Sequence, residues 1–231
     1  MAATLLAGYV EQFLSLHHVA VPAQPDSTLE AALSKRLPES RLVSIARQRE
    51  PADRLVRALS SALVLAAARA EGLHLDPLAI AYPSDGPPHW PGGGCCSVSH
   101  SAVDVVVLIG SSAPLGVDVE NPFAVKRSDL RLVLPAGLRH GVASGSVDPT
   151  SAWMRIEAAL KAAGTGLRGL NELVFDTEVN ARIGSLRLDL RRVALSDQHS
   201  CWCAVGEGQA IRPIPVKQHS VLDLIRLMAA L

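Results

Sequence analysis

Two acidic residues stand two positions apart inside an apolar run near the middle of the chain. The run extends from Leu115 to Glu120, and its acidic members are Asp118 and Glu120. In an extended strand, residues i and i+2 point to the same face, so the two carboxylates would project together while Val117 and Val119 face a core. Neighbouring carboxylates repel each other and are costly to bury unless a cation lies between them. The run therefore predicts either an edge strand with a solvated acidic face or part of a site for Mg²⁺, which prefers oxygen ligands.

Composition indicates an ordinary globular protein with enough apolar material for a good core. Of 231 residues, 48% are hydrophobic and 19% are charged, which suits one large domain or two small ones. A net charge of zero and an aromatic content of 3% argue against a nucleic-acid-binding surface. The beginning of the chain lacks a basic n-region, and the apolar runs are too short to span a bilayer. We therefore expect neither export nor a membrane span.

The four cysteines occur as the adjacent pair Cys95-Cys96 and as Cys201 and Cys203. Neither spacing is typical of a zinc site. Both pairs lie in or beside predicted strands, so buried free thiols are expected. Free thiols fit a reducing compartment, and a cytoplasmic location is the expectation.

The spacing of apolar residues predicts a mixture of helices and antiparallel strands. Helical spacing covers the segments 28–37, 38–49, 52–71, 152–163 and 221–231. Strand patterns cover the segments 78–80, 103–109, 115–120, 173–175, 186–193 and 200–205. Residues 1–25 are expected to form a strand or loop with His17 and His18 on the surface. Because the order helix, loop, strands occurs twice, we predict an α+β fold of two similar halves, residues 1–114 and 115–231.

A third carboxylate lies on the predicted helix that follows the acidic strand. Trp153, Glu157 and Lys161 are spaced i, i+4 and i+8, so they share one helix face. Three carboxylates from two elements suffice to hold one Mg²⁺, with Lys161 one turn further on to meet a phosphate. A Glu–Lys pair at this spacing is also a common surface salt bridge, and that alternative stays open at this point.

Two of these segments together resemble motifs of the 4′-phosphopantetheinyl transferase superfamily. The segment Gly116–Glu120 reads GVDVE and is similar to the family motif G-(I/V)-D-x-E. The segment Trp153–Lys161 is similar to W-x-x-K-E-x-x-x-K. Upstream, Ser97–Ser101 resembles N-x-S-H-S, and Arg49 with Asp53–Leu55 resembles the arginine-bearing helix of the first half. The four motifs occur in the family's order and cover residues 38–206.

The resemblance implies the larger, pseudo-dimeric type of this fold, with two α+β halves related by a pseudo-two-fold axis and the site between them. Such a chain is expected to act as a monomer. A hairpin would place Ser99 and His100 on a strand next to Asp118 and Glu120. The implied activity is transfer of the phosphopantetheine arm of coenzyme A to a serine of an acyl- or peptidyl-carrier protein, with release of 3′,5′-ADP.

Residue roles follow from the resemblance by position. The implied Mg²⁺ ligands are Asp118, Glu120 and Glu157. The implied catalytic residues are Glu157 and Lys161. The residues implied to bind coenzyme A are Arg49, Arg54, Ser99, His100 and Lys161. The carrier protein is expected to dock on the irregular segment 121–140, where Arg127, Arg131 and Arg139 would meet its acidic helix. Nucleic acid and membrane partners are not expected.

The sequence departs from the family pattern at two positions. Ile156 stands where the family has a lysine before the metal-binding glutamate, and Pro87 stands where the family has the lysine of Gly-Lys-Pro. Each change removes a cation near a polyanionic ligand, and one charge-assisted contact contributes about 1.5–3 kcal/mol. The alternative function is therefore a weakened or repurposed homologue that binds coenzyme A or a carrier protein, or performs other chemistry in a biosynthetic pathway.

Overall fold

A computed structural model describes residues 13–83, 86–91, 94–130, 133–209 and 213–231. Over these residues the predicted α+β class is confirmed, because the chain forms two β-sheets with helices packed on them. The strands are β1 (Leu14–Ala20), β2 (Cys95–His100), β3 (Asp104–Gly110), β4 (Leu115–Val119), β5 (Leu173–Phe175), β6 (Asn180–Ile183), β7 (Leu186–Ala194), β8 (Ser200–Gly206) and β9 (Val216–His219). The helices are α1 (Ser27–Ser34), α2 (Glu39–Ala46), α3 (Pro51–Ala70), α4 (Ala136–Ser144), α5 (Pro149–Ala163) and α6 (Val221–Ala230).

The first sheet has the order β2-β3-β1-β9 and carries the long helix α3 on one face. Pro51 begins this helix, where its missing N–H costs nothing, and the chain leaves it at Gly72 with a φ of 76°. The helix is buried along most of its length, because α1, α2 and α6 pack around it. Its apolar residues form one core with the inner side chains of β1 and β3.

The second sheet has the order β4-β8-β7-β6-β5, with antiparallel neighbours throughout. Helix α5 crosses the face that carries Gly116 and Asp118. A Cβ atom on Gly116 would lie 2.0 Å from the carbonyl oxygen of Ala158, so only glycine allows the helix to approach β4 this closely. This close approach explains the glycine that opens the GVDVE motif.

The two sheets meet through their remaining faces. Leu16 and Leu108 from the first sheet pack with Val117, Val119 and Cys203 from the second in a third, smaller core. The molecule is therefore layered as helix, sheet, sheet, helix.

Serine side chains connect the edges of the two sheets. The hydroxyl of Ser97 accepts a hydrogen bond from the backbone N–H of Val117 at 3.0 Å, and that of Ser99 accepts one from Val119 at 3.4 Å. Strands β2 and β4 are thus neighbours, as the sequence predicts. The predicted hairpin pairing is wrong, however, because the two strands belong to different sheets and their contacts run through side chains.

The last strand and helix of the chain return to the first half. Strand β9 pairs in parallel with β1, and α6 packs on α1 and α3. The predicted boundary at residue 115 therefore separates the segments of the two sheets, with one exception. Strand β9 and helix α6 follow this boundary in the chain but pack with the first half.

Two local predictions from the sequence are wrong, and the one for the cysteines is confirmed. The segment at Leu78 forms a 3₁₀ turn, Pro77–Ala79, and the predicted strand there is wrong. His17 and His18 are buried, so their predicted surface position is also wrong. The cysteines are free thiols, as expected, and three of them are buried. No helix within the described ranges is long and apolar enough to cross a bilayer.

Candidate functional site

Asp118 is the centre of a polar cluster between the two halves. It lies on β4 and is only 4% exposed, on the face covered by α5. Its Oδ1 atom accepts a hydrogen bond from the hydroxyl of Ser99 at 2.8 Å and from the ammonium of Lys161 at 2.7 Å. Its buried Oδ2 atom has no hydrogen-bond partner among the described residues. One oxygen of this carboxylate is therefore compensated and the other is open for an additional ligand.

Lys161 connects α5 to both halves of the molecule. Besides its ion pair with Asp118, its Nζ atom donates to the hydroxyl of Ser99 at 3.0 Å and to the carbonyl of Val117 at 3.2 Å. The close contact at Gly116 sets the height of the helix over β4 and so brings the lysine within reach. The Lys161 side chain is 30% exposed, and the three contacts described above engage all three N–H donors of its ammonium.

Glu120 and Glu157 add two further acidic groups to this region. Burial raises the pKa of Glu120, and the nearby charge of Asp118 raises it further, against an opposing effect of Lys161. Burial also raises the pKa of Glu157, where Lys161 opposes and Asp118 reinforces the shift. Asp118 thus interacts electrostatically with both glutamates, and the charge of Lys161 acts on all three carboxylates.

The donor set suits a hard divalent cation, since it consists of carboxylate oxygens with one buried oxygen unpaired. The side chains as they stand do not converge on a common point: within the described ranges, no group of three or more His, Cys, Asp or Glu residues is placed to hold a metal ion. In this structure Lys161 provides the positive charge next to Asp118.

His100 lies at the end of β2, in a predominantly positive environment. Partial burial lowers its pKa, and the charges of Lys161, Arg57 and Arg41 lower it further, with a smaller opposing effect of Asp53. The structure thus brings predicted residues Ser99, His100 and Lys161 together with two arginines that the resemblance does not identify. Arg57 is separated from Asp53 by one helical turn, and that spacing is the feature of the sequence that places it on this side of α3.

Arg54 and Arg49 have other surroundings. The Nε atom of Arg54 donates to Glu30 at 3.2 Å, and its Nη1 atom donates to the carbonyls of Gln48 and Arg49 at 3.2 and 3.1 Å. Arg54 therefore stabilises the corner between α2 and α3, whereas Arg49 has an exposed side chain. Neither is among the charges that act on His100.

The two positions where the family lysines are missing differ in environment. Ile156 is fully buried in the core beneath α5, so its position faces away from solvent. Pro87 lines a cleft of about 230 Å³ together with Ser97, Leu160 and Lys161. This cleft opens beside the Asp118 cluster, because Lys161 belongs to both.

The arginines expected to meet a carrier protein lie on the surface of the second half where they are described. Arg127 is exposed in the segment after β4. Arg139 lies on α4 and donates from Nε to the carbonyl of Leu134 at 2.9 Å. Arg131 falls outside the described residues.

Comparison with protein-family models and with characterised proteins finds no match to this sequence.

Proposed function

We propose that this chain transfers the 4′-phosphopantetheine group of coenzyme A to a serine of an acyl- or peptidyl-carrier protein, releasing 3′,5′-ADP. The observation that carries the proposal is the cluster of Ser99, Asp118 and Lys161 between the two halves. A phosphate-bearing ligand needs cations, and a divalent cation needs the carboxylates; both kinds of group occur side by side here.

The positive residues of the cluster would bind the phosphates of coenzyme A. Lys161 would meet the diphosphate by exchanging one of its present contacts, because its partly exposed side chain lines the cleft beside Pro87. His100, with Arg57 and Arg41 near it, would bind the 3′-phosphate. Both arginines would add positive charge beside His100.

Mg²⁺ would be held by the three carboxylates, with Oδ2 of Asp118 as the unpaired buried oxygen and Glu120 and Glu157 as the other donors. When bound, it would neutralise phosphate charge. Glu157 would accept the proton of the carrier serine as the serine Oγ attacks the β-phosphorus of coenzyme A. The bond from that phosphorus to the oxygen of the nucleotide breaks, and 3′,5′-ADP leaves with the electron pair.

The test is chromatographic detection of 3′,5′-ADP when the protein is mixed with coenzyme A, Mg²⁺ and several apo carrier proteins. Release is expected with the native chain and is expected to fall at least about a hundredfold in Glu157→Ala, as for loss of a general base. Glu207→Ala is the matched control, because Glu207 is exposed and lies at the far end of β8. Equal release from Glu157→Ala and the native chain would contradict the proposal.

The alternative, a protein that binds coenzyme A or a carrier without turnover, gives a different result in the same experiment. Calorimetry would then show binding of coenzyme A while no 3′,5′-ADP appears. The observation behind this alternative is the buried side chain of Ile156, which provides no cation at that position of α5.

A further inference from the structure

A second cavity, of about 410 Å³, lies at the opposite end of α5 from Lys161. It forms where the first turns of the helix cover β7 and β8. The register of the second sheet places Asp118, Trp202 and Arg192 directly opposite one another on the covered face. Arg155 and Met154 line the cavity from the helix. A volume of this size is typical of small-molecule sites.

Arg155 is the unusual residue of this cavity. Its side chain is only 8% exposed, and its guanidinium lies over the ring of Trp202 with a distance of 4.2 Å to the ring centre. The Nε and Nη1 atoms are buried and have no hydrogen-bond partner among the described residues. A buried cation with unpaired donors is costly, so the native protein needs a partner for these N–H groups.

The charges around Arg155 do not supply that partner. Its Nη2 atom lies 3.9 Å from a carboxylate oxygen of Glu178, whose side chain is 67% exposed, so the pair is weak. Burial lowers the pKa of Arg155, Glu178 opposes this shift, and Arg192 reinforces it.

The other lining groups are mostly engaged elsewhere. Trp202 donates from Nε1 to the hydroxyl of Ser151 at 3.0 Å, and Arg192 donates from Nε to the hydroxyl of Ser200 at 3.0 Å. Asp148 accepts from the N–H of Ser151 at the start of α5. Glu120 also lines the cavity, and like Asp148 it would repel an anion that approached it closely.

We propose that this cavity binds a small oxyanion, a carboxylate or phosphate group, on the unpaired donors of Arg155. The planar guanidinium matches the oxygens of either group, and stacking on Trp202 fixes its orientation. Apolar lining atoms from Met154 and Val147 would contact the remainder of such a ligand. This inference does not depend on the proposed transfer reaction.

The test uses the full chain, with inorganic phosphate and malonate as probes. Phosphate is also expected at the Lys161 cluster, so the readout is the Nε–H resonance of Arg155 itself, recorded during each titration. We expect a saturable shift of that resonance with at least one probe, and the probe that binds more tightly identifies the source of the anion. An unmoved resonance with both probes would overturn the proposal and leave ordered water as the partner.

Variants provide the second measurement. Arg155→Gln is expected to weaken binding of the tighter probe at least about tenfold, the effect of losing one charge-assisted contact. The indole Nε1–H resonance of Trp202, which lines the same cavity, reports this affinity without interference from the Lys161 cluster. Arg187→Gln is the matched control, because Arg187 is an exposed arginine on the same sheet. Equal affinity in the two variants would overturn the proposal. If Arg155→Gln does not fold, the resonance of the native chain decides.

Discussion

At the scale of single residues, the charge balance of the candidate site depends on Lys161, whose Nζ atom lies 2.7 Å from Oδ1 of Asp118. The i, i+2 spacing places Asp118 beside Glu120, and the i, i+4 spacing places Glu157 beside Lys161. Only the family resemblance brings the two pairs together. That Lys161 pairs with Asp118 depends on the height of α5 above β4, which sequence periodicity does not determine. The involvement of Arg57 near His100 likewise depends on packing between distant segments.

Lys161→Met is expected to destabilise the fold by about 2 kcal/mol. Removing one partner of a buried ion pair costs about 3–5 kcal/mol, and the partial exposure of Lys161 reduces this cost. The free energy of unfolding in urea measures the effect. Adding Asp118→Asn to this variant should recover most of the loss, because the uncompensated carboxylate disappears. A double variant no more stable than the single one would contradict the pairing.

At the scale of elements, the sequence predicts the central pieces of each half and misses the contacts between them. The long helix and the Trp-Glu-Lys helix are predicted, because each has a sustained apolar period and a clear end at Pro51, Gly72 or Gly164. The acidic strand is predicted from its alternation of apolar and acidic residues. The side-chain connection between β2 and β4 is missed, because serine hydroxyls replace the backbone pairing that strand patterns indicate.

Gly116→Ala is expected to destabilise the protein by about 1–3 kcal/mol, the usual cost of overpacking a close contact. The new methyl group would lie 2.0 Å from the carbonyl oxygen of Ala158, so α5 must move away from β4. The same movement should lengthen the distance from Lys161 to Asp118. Thermal unfolding measures the first effect. An unchanged melting temperature would show that the helix approaches the strand less closely than described.

Ser97→Ala is expected to cost about 1–3 kcal/mol, because the N–H of Val117 loses its acceptor at a buried position. Ser60→Ala is the matched control: Ser60 is equally buried, but its hydroxyl donates within its own helix to the carbonyl of Val56. Urea unfolding compares the two variants. Equal losses would mean that the serine bridge between the sheets contributes nothing specific.

At the scale of the whole molecule, a largely buried histidine–aspartate cluster joins the two halves. Asp104 on β3 accepts from His18 on β1 and from His199 in the turn before β8, both at 2.7 Å. His18 also contacts Gln218 on β9 at 2.5 Å. Sequence analysis places His18 on the surface and ends the first half at residue 114. It could not foresee this cluster, because the pairing of β9 with β1 joins segments about 200 residues apart.

Stability should depend on pH through this cluster. Burial opposes protonation of His18, but hydrogen bonds to Asp104 and Gln218 outweigh it and raise its pKa. Burial also acts against the charged form of Asp104, but the two histidines outweigh it and lower its pKa. The contribution of His18 is therefore complete below about pH 6.5 and lost as the pH rises through its higher pKa in the folded state. That of Asp104 is complete above about pH 4 and lost on further acidification.

The variant Asp104→Asn should therefore have a lower free energy of unfolding than the native chain. The loss should be largest, about 3 kcal/mol, between about pH 4 and 6.5, and should become smaller at higher pH. His17 complicates the native curve, because burial first and then the charge of His219 lower its pKa to about 4. Its contribution falls as the pH drops from about 6.5 towards 4. The native chain and Asp104→Asn share this contribution of His17, so the difference between their free energies of unfolding at each pH does not contain it. A difference independent of pH would contradict the assignment of an ion pair between His18 and Asp104.

The central claim is that the cluster of Ser99, Asp118 and Lys161 is the site of phosphopantetheine transfer. Intact-mass measurement of apo carrier proteins, after incubation with this chain, coenzyme A and Mg²⁺, tests it most directly. We predict a gain equal to one phosphopantetheine on the carrier, lost in Asp118→Ala and retained in the control Asp197→Ala, whose residue is exposed in the turn between β7 and β8. Unchanged masses across several carrier proteins, or equal gains with both variants, would contradict the claim.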